Sequence, residues 1–225
     1  MDEIIGDYRL LEKIGEGAAG EVFLATPFKE KPFAKPGQPV ALKRYKSEVL
    51  KKAHQFERID REFQAGSTLS HPNLVCVYEY RSDAQHRSAP YLVMEYVDGV
   101  PLDRWIEIFC PLPRHLLLRF TKQLIQGVAH LHANNIIHRD IKPQNIMVTS
   151  SFDLKIMDLG VVRVKSDLRI TPQDMFVGTI RNSSPEMLFG EKYDERTDLY
   201  SLGTVFYALL HGEQVFADEV HRNKA

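Results

Sequence analysis

Short apolar or alternating runs, separated by turn residues, dominate the first 95 positions. Tyr8-Arg9-Leu10-Leu11, Glu21-Val22-Phe23-Leu24-Ala25, Pro39-Val40-Ala41-Leu42-Lys43, Leu74-Val75-Cys76-Val77-Tyr78 and Tyr91-Leu92-Val93-Met94 each read as a strand, and together as a small antiparallel sheet. Between the third and fourth runs, residues 47–70 space Val49, Phe56, Ile59, Phe63 and Leu69 among charges as one amphipathic helix does, and His71-Pro72-Asn73 stops it. Residues 27–39 carry four prolines and three lysines, which predicts a long, exposed connection between two strands. After Asp98-Gly99 the period changes. Pro113 to Asn134 sets Leu116, Leu117, Phe120, Leu124, Val128 and Leu131 on one helical face, and Leu199 to Leu210 forms a second, more apolar helix. The pattern therefore predicts an α+β chain: a sheet-rich part over 8–97 with one helix, then a mainly helical part over 98–225, with Asp98-Gly99 as the hinge.

Composition narrows the class. With 44% hydrophobic and 26% charged residues, the 225-residue chain has the make-up of a globular protein with a substantial core. A net charge of -1 shows no basic stripe, so nucleic acid and polybasic membrane contacts are not expected. Cys76 and Cys110, the two cysteines, lie in apolar surroundings without metal spacing and read as core thiols in a reducing compartment. The acidic start, Met1 to Asp7, lacks the regions of a secretory signal, and the longest apolar run, residues 202–210, is short of a membrane span. A cytoplasmic location is the default expectation.

The chemistry concentrates in His138-Arg139-Asp140-Ile141-Lys142-Pro143-Gln144-Asn145, between an apolar helix and a strand-like run. Asp140 is placed to accept the proton of an attacking hydroxyl, Lys142 to offset charge on a moving phosphoryl group, and Asn145 to ligate magnesium. These eight positions resemble the catalytic loop of the protein kinase superfamily, and the resemblance extends over residues 8 to about 216. Gly15-Glu16-Gly17-Ala18-Ala19-Gly20 alone is weak evidence, since dinucleotide-binding folds share it. There, however, a helix follows the glycines, whereas here residues 21–25 continue as a strand, giving a glycine-tipped hairpin. Val40-Ala41-Leu42-Lys43 is similar to the kinase strand whose lysine grips the α- and β-phosphates, and Glu62 occupies the place of that lysine's acidic partner, with Glu57 and Glu48 as alternatives on the same helix. Asp158-Leu159-Gly160 stands where kinases carry Asp-Phe-Gly, so Asn145 and Asp158 are the implied Mg²⁺ ligands.

What the resemblance implies is a protein-kinase-like two-lobed fold, a sheet lobe at 8–97 and an incomplete helical lobe at 98–225, that transfers the γ-phosphoryl group of ATP to serine or threonine hydroxyls of a protein. The implied nucleotide site comprises Ile14, Gly15, Gly17, Gly20, Val22, Ala41, Lys43, Met94, Glu95, Val97 and Met147. Residues Gly178 to Glu186 are similar to the end of an activation segment, with Ser184 for alanine and Asn182 for a groove-shaping tyrosine. Arg139 would receive a phosphate on Thr171, Ser166 or Thr179, placed there by an upstream kinase, while Asp198 would anchor the catalytic-loop backbone. Two departures stand out. Gly66 replaces a large apolar residue four positions after Glu62, so an activating partner is expected to hold that helix. Family domains also continue past the helix ending near residue 210, so the sequence reads as a fragment in which Glu186 lacks its arginine partner, an unpaired buried carboxylate worth roughly 3 kcal/mol. The rival expectations are a catalytically silent nucleotide-binding or scaffold module and kinase chemistry on a small-molecule hydroxyl.

Overall fold

The computed structural model describes residues 3–17, 20–46, 63–64, 66–81, 90–158, 163–164 and 182–215. They belong to two compact units: Met1–Ser70 with Val75–Val97, and His71–Leu74 with Asp98–Ala225.

The first unit is an antiparallel sheet. Strands β1 (Ile4–Ile5), β2 (Tyr8–Glu16), β3 (Gly20–Pro27), β4 (Val40–Tyr45), β5 (Val77–Arg81) and β6 (Tyr91–Glu95) take the order β1-β2-β3-β4-β6-β5. Alternation along each strand divides the side chains between two faces. Phe23, Val40, Leu42 and Val93 share one face and build the core with Tyr8, Leu10, Ala25, Ala34 and Tyr91. The opposite face carries Val22 paired to Lys43, Lys43 to Leu92, and Ala41 to Met94. Backbone register alone thus collects Val22, Ala41, Lys43 and Met94 of the candidate nucleotide residues on one face.

The connection at 27–39 is mostly exposed, as expected, yet it is docked on the sheet at a few side chains. Lys31 and Ala34 bridge each other through backbone bonds of 2.9 and 3.3 Å, Ala34 is 6% exposed within the core, and Phe33 stacks on Tyr78 at 4.6 Å. Lys31, its side chain 11% exposed, donates to Asp7 (3.0 Å) and Glu79 (3.1 Å). Prolines and lysines masked an apolar pair and a buried cation that dock this segment on the sheet. A correction concerns residues 74–78: the strand begins at Val77, because Leu74 belongs to the other unit and bridges Ile156 in parallel. Of the predicted helix at 47–70, Phe63–Gln64 and Gly66–Ser67 are helical, residues 68–70 are described but lie past the helix end, and the rest lies outside the described residues.

In the second unit, β7 (Gly99–Pro101) leads into α1 (Leu102–Phe109) and α2 (Arg114–Ala133). Phe120, Leu124, Val128 and Leu131 of α2 are buried, the predicted face, while Leu116 and Leu117 at its start are half-buried. Strands β8 (Ile136–Ile137), β9 (Ile146–Thr149), β10 (Leu154–Ile156) and β11 (Arg163–Val164) form small sheets in the orders β10-β9-β7 and β11-β8. A short helix α3 (Pro185–Leu188) precedes α4 (Arg196–His211), which starts before the predicted Leu199 and is closed by Gly212 at φ 76°. Asp98-Gly99 was read as a hinge, and the glycine has a local reason: a Cβ there would lie 2.5 Å from the Val148 carbonyl oxygen across the β7–β9 pairing.

The His71-Pro72-Asn73 stop is also a clamp. Asn73 Nδ2 donates to Gln123 Oε1 (2.8 Å) and to the Leu154 carbonyl (2.9 Å), while its own carbonyl accepts the Ile156 N–H (2.9 Å). Gln123 in turn accepts the Leu154 N–H at 2.7 Å. Four residues are thereby joined to α2 and β10 by hydrogen bonds among buried groups. Cys76 and Cys110 are half-buried, not core thiols, and burial pushes the Cys110 thiol up from its ordinary range. Among the described residues no helix is long and apolar enough to cross a membrane.

Candidate active site

The loop from β8 to β9 brings the chemistry-bearing residues of the helical unit together. His138, Arg139, Asp140, Ile141 and Asn145 are all buried, so their polar groups need internal partners. Asp198, fully buried on the first turn of α4, supplies two of them: Oδ2 accepts the His138 N–H (2.9 Å), and Oδ1 the Arg139 N–H (2.8 Å). His132 Nε2 lies 2.8 Å from Asp198 Oδ2. One carboxylate thus fixes two successive amides, and Arg139 between them adopts φ 72°. The His138 ring reaches the Met157 carbonyl at 2.9 Å, tying the loop to the backbone one residue before Asp158.

Asp140 is the centre of the arrangement. Its Oδ2 accepts from Lys142 Nζ (2.7 Å) and from Asn145 Nδ2 (2.8 Å), and its backbone carbonyl accepts from the same amide nitrogen at 2.8 Å. With its nitrogen committed to Asp140, Asn145 has its side-chain oxygen left for a cation. Asn145 and Asp158 are adjacent through the Met157 N–H, which donates to the Asn145 carbonyl at 2.8 Å. Asp158 is exposed at φ 57°. An amide oxygen and a carboxylate are the hard donors that suit Mg²⁺, which keeps several waters and takes few protein ligands; the residues present fit that ion. Among the described residues no group of three His, Cys, Asp or Glu is placed to hold a metal ion.

In the sheet unit Gly15 pairs with Val22, and the Gly17 N–H closes the turn onto the Gly20 carbonyl at 2.9 Å. The glycines differ in purpose. A Cβ on Gly20 would lie 2.1 Å from the Arg44 carbonyl oxygen, so Gly20 is required by the sheet, whereas one on Gly17 would meet nothing within 4 Å. No packing contact therefore demands Gly17. Ile14 sits exposed at the register shift between Lys13 and Gly15. Ala41 and Val97 are buried, and Val22 and Met94 are half-buried. The Glu95 N–H donates to the Cys76 carbonyl (2.9 Å) while its carboxylate accepts the Cys76 N–H (3.1 Å). The Lys43 ammonium lies 5.4 Å from the Tyr45 ring centroid. Met147, in the helical unit, pairs with Lys155 and Pro101. Glu62, Ser166, Thr171 and Thr179 lie outside the described residues.

The segment leading into α4 answers the question of Glu186. Thr197 Oγ1 donates to its carboxylate at 2.7 Å, and Ser184 Oγ lies 2.7 Å from Thr197 Oγ1. Burial works against the charged carboxylate, but the Thr197 hydroxyl and a backbone N–H outweigh it and hold its pKa below the usual range. The expected unpaired buried carboxylate is corrected: Glu186 is half-buried and hydroxyl-bonded. Asn182 opens the same segment. It is buried, donating to Thr204 at 2.6 Å, while its carbonyl accepts from Ser201 at 2.7 Å. Sequence reasoning missed His132, Thr197, Ser201 and Thr204, although the hydroxyls recur on one helical face, a spacing that could have marked them.

These features define a protein-kinase catalytic loop held on a buried aspartate. Residues 8–225 match the protein kinase domain family, and the chain belongs to it. Relatives include the serine/threonine-protein kinases PknB of Mycobacterium leprae, 34% identical over 93% of this chain, and PrkC of Bacillus subtilis, 33% identical over 96%. A probable serine/threonine-protein kinase of Streptomyces coelicolor is 35% identical over 91%. The chain spans about a third of the length of these relatives: 33%, 32% and 30%.

Proposed function

We propose that this chain carries the catalytic machinery of a serine/threonine protein kinase, transferring the γ-phosphoryl group of ATP to a hydroxyl of a protein substrate. The observation that carries this reading is the Asp140 carboxylate, buried and gripped by Lys142 and Asn145 at 2.7 and 2.8 Å on a loop pinned by Asp198. As the acceptor oxygen forms its bond to the γ-phosphorus, the bond to the β–γ bridging oxygen breaks, ADP leaves, and Asp140 takes the hydroxyl proton. Lys142 stays beside Asp140, where its charge offsets that of the moving phosphoryl group.

Lys43 and the amides around Gly15, Gly17 and Gly20 are the phosphate-binding candidates of the sheet unit. Ile14, Val22, Ala41, Met94 and Val97, with the Glu95 backbone and Met147, are those for the adenine ring. Asn145 and Asp158 would hold Mg²⁺, which neutralises phosphate charge when bound. Glu62 is the proposed partner of Lys43, and Arg139, with Ser166, Thr171 or Thr179, the proposed regulatory set. A cytoplasmic setting and an activating partner complete the reading.

The test incubates the chain with labelled ATP, Mg²⁺ and a generic protein acceptor, beside Asp140→Asn. Loss of roughly a thousandfold in transfer, with folding intact, is expected for removal of the base. Equal label in both samples overturns the reading.

A further inference from the structure

The catalytic loop needs two restraints at Arg139, and the role assigned to Asp198 accounts for one. Arg139 holds φ 72°, a region unfavourable for a side chain larger than glycine. Such a conformation persists where the surroundings over-determine it. From the backbone side, the Asp198 carboxylate takes the Arg139 N–H at 2.8 Å. From the side-chain side, the guanidinium carbon lies 5.0 Å from the Tyr193 ring centroid. Tyr193 sits between α3 and α4 and is 7% exposed, and Arg139 is 4% exposed. Water is therefore largely excluded from the pair, the condition under which a cation over an aromatic face is held most firmly.

We propose that Tyr193 is a positioning residue for the candidate base Asp140, acting through Arg139: its ring holds the guanidinium and so keeps the loop backbone in the conformation that aims the next residue. Asp140 meets Lys142 and Asn145 only in that orientation, because both bonds converge on one carboxylate oxygen. If Arg139 relaxes to negative φ, the chain enters Asp140 along another direction and the convergence is lost. Tyr193 also links the loop between α3 and α4 to the catalytic loop, so the segment bearing Ser184 and Glu186 and the base share one support.

This inference rests on the phosphoryl-transfer reading, and the experiment separates the two. Wild type, Tyr193→Phe, Tyr193→Leu, Tyr193→Met and Asp140→Asn are prepared as the full chain, and each is first required to show wild-type circular dichroism. The Leu and Met variants are expected to lose about tenfold or more in kcat, with KM for ATP within about twofold of wild type, as a displaced base predicts. Tyr193→Phe, which keeps the ring, is expected to restore most of the loss. A second readout needs no activity: phenylglyoxal modification of Arg139, followed by peptide mass spectrometry, should accelerate in Leu and Met and stay at the wild-type rate in Phe. A folded Leu or Met variant with wild-type kcat and modification rate overturns the proposal, as does equal loss in Phe and Leu. Equal transfer by wild type and Asp140→Asn would instead sink the kinase reading, and the modification rates would still decide the Tyr193–Arg139 contact.

Discussion

The two units solve opposite problems. In the sheet unit the interior is apolar apart from the Lys31–Glu79 pair under the 27–39 segment, and other charges lie outward in chains such as Glu16–Lys13–Glu21, with Lys13 at 2.8 Å from Glu21. In the helical unit Asp198, Asn182, Ser184, Thr197 and Ser201 are buried with Arg139, Asp140 and Asn145. A sheet can present backbone and one lysine to a phosphate from an ordinary hydrophobic scaffold, because register does the placing. A base, an amide and a lysine that must converge on one point need a polar interior, since each buried dipole has to be satisfied in one geometry. The difference teaches where fragility lies: surface charges in the first unit are expendable, buried ones in the second are not.

The sharpest way to break that comparison is Asp198→Ala. It strands the His138 and Arg139 N–H groups and removes the partner of His132, and is expected to destabilise the protein by about 3 kcal/mol or more. A thermal melt checks it; a loss similar to that of a surface substitution would erase the contrast. A smaller effect is expected at Glu186, whose pKa folding depresses below its ordinary 4.5. A depressed carboxyl contributes stability that is complete above the unfolded value and is lost as pH falls through the folded one. Glu186→Gln should therefore make stability fall less steeply below about pH 4.5, as urea titrations across that range would show. The smallest effect belongs to the sheet. Lys13→Met removes the bonds to Glu16 and Glu21, of which the first, with Lys46, holds the Glu16 pKa down at about 2, yet the group is exposed and screened. An unchanged melting temperature is expected; a marked drop would show that the outer charges matter as much as the inner ones.

Most of the architecture was legible because period and turn chemistry are local. The alternation in residues 20–27 and 40–45 and the apolar face of residues 114–133 identify strands and helix without reference to distant sequence. Leu74-Val75-Cys76-Val77-Tyr78 misled because a single apolar run crosses from one unit to the other, and no local rule marks that crossing. The segment at 27–39 is mostly exposed, as its composition signals, but composition gave no sign that Phe33, Ala34 and Lys31 find partners at Tyr78, the sheet core and Glu79. At the site, Asp140, Lys142 and Asn145 were readable from motif spacing. His132 and Tyr193 were not, since they act through approaches of α2 to α4 and of the α3–α4 loop to the catalytic loop that sequence separation conceals.

The clamp at Asn73 bears on how this molecule can be divided. Residues 71–74 belong to the helical unit although the chain on both sides belongs to the sheet unit, so the backbone passes from one to the other at three points, not one. A cut after Val97, the natural place to separate them, yields a helical piece without Asn73, leaving Gln123 and the exposed ends of β10 to seek other partners. Supplying His71–Leu74 as a tethered peptide is the minimum repair. The units are intertwined in sequence, and must be engineered together.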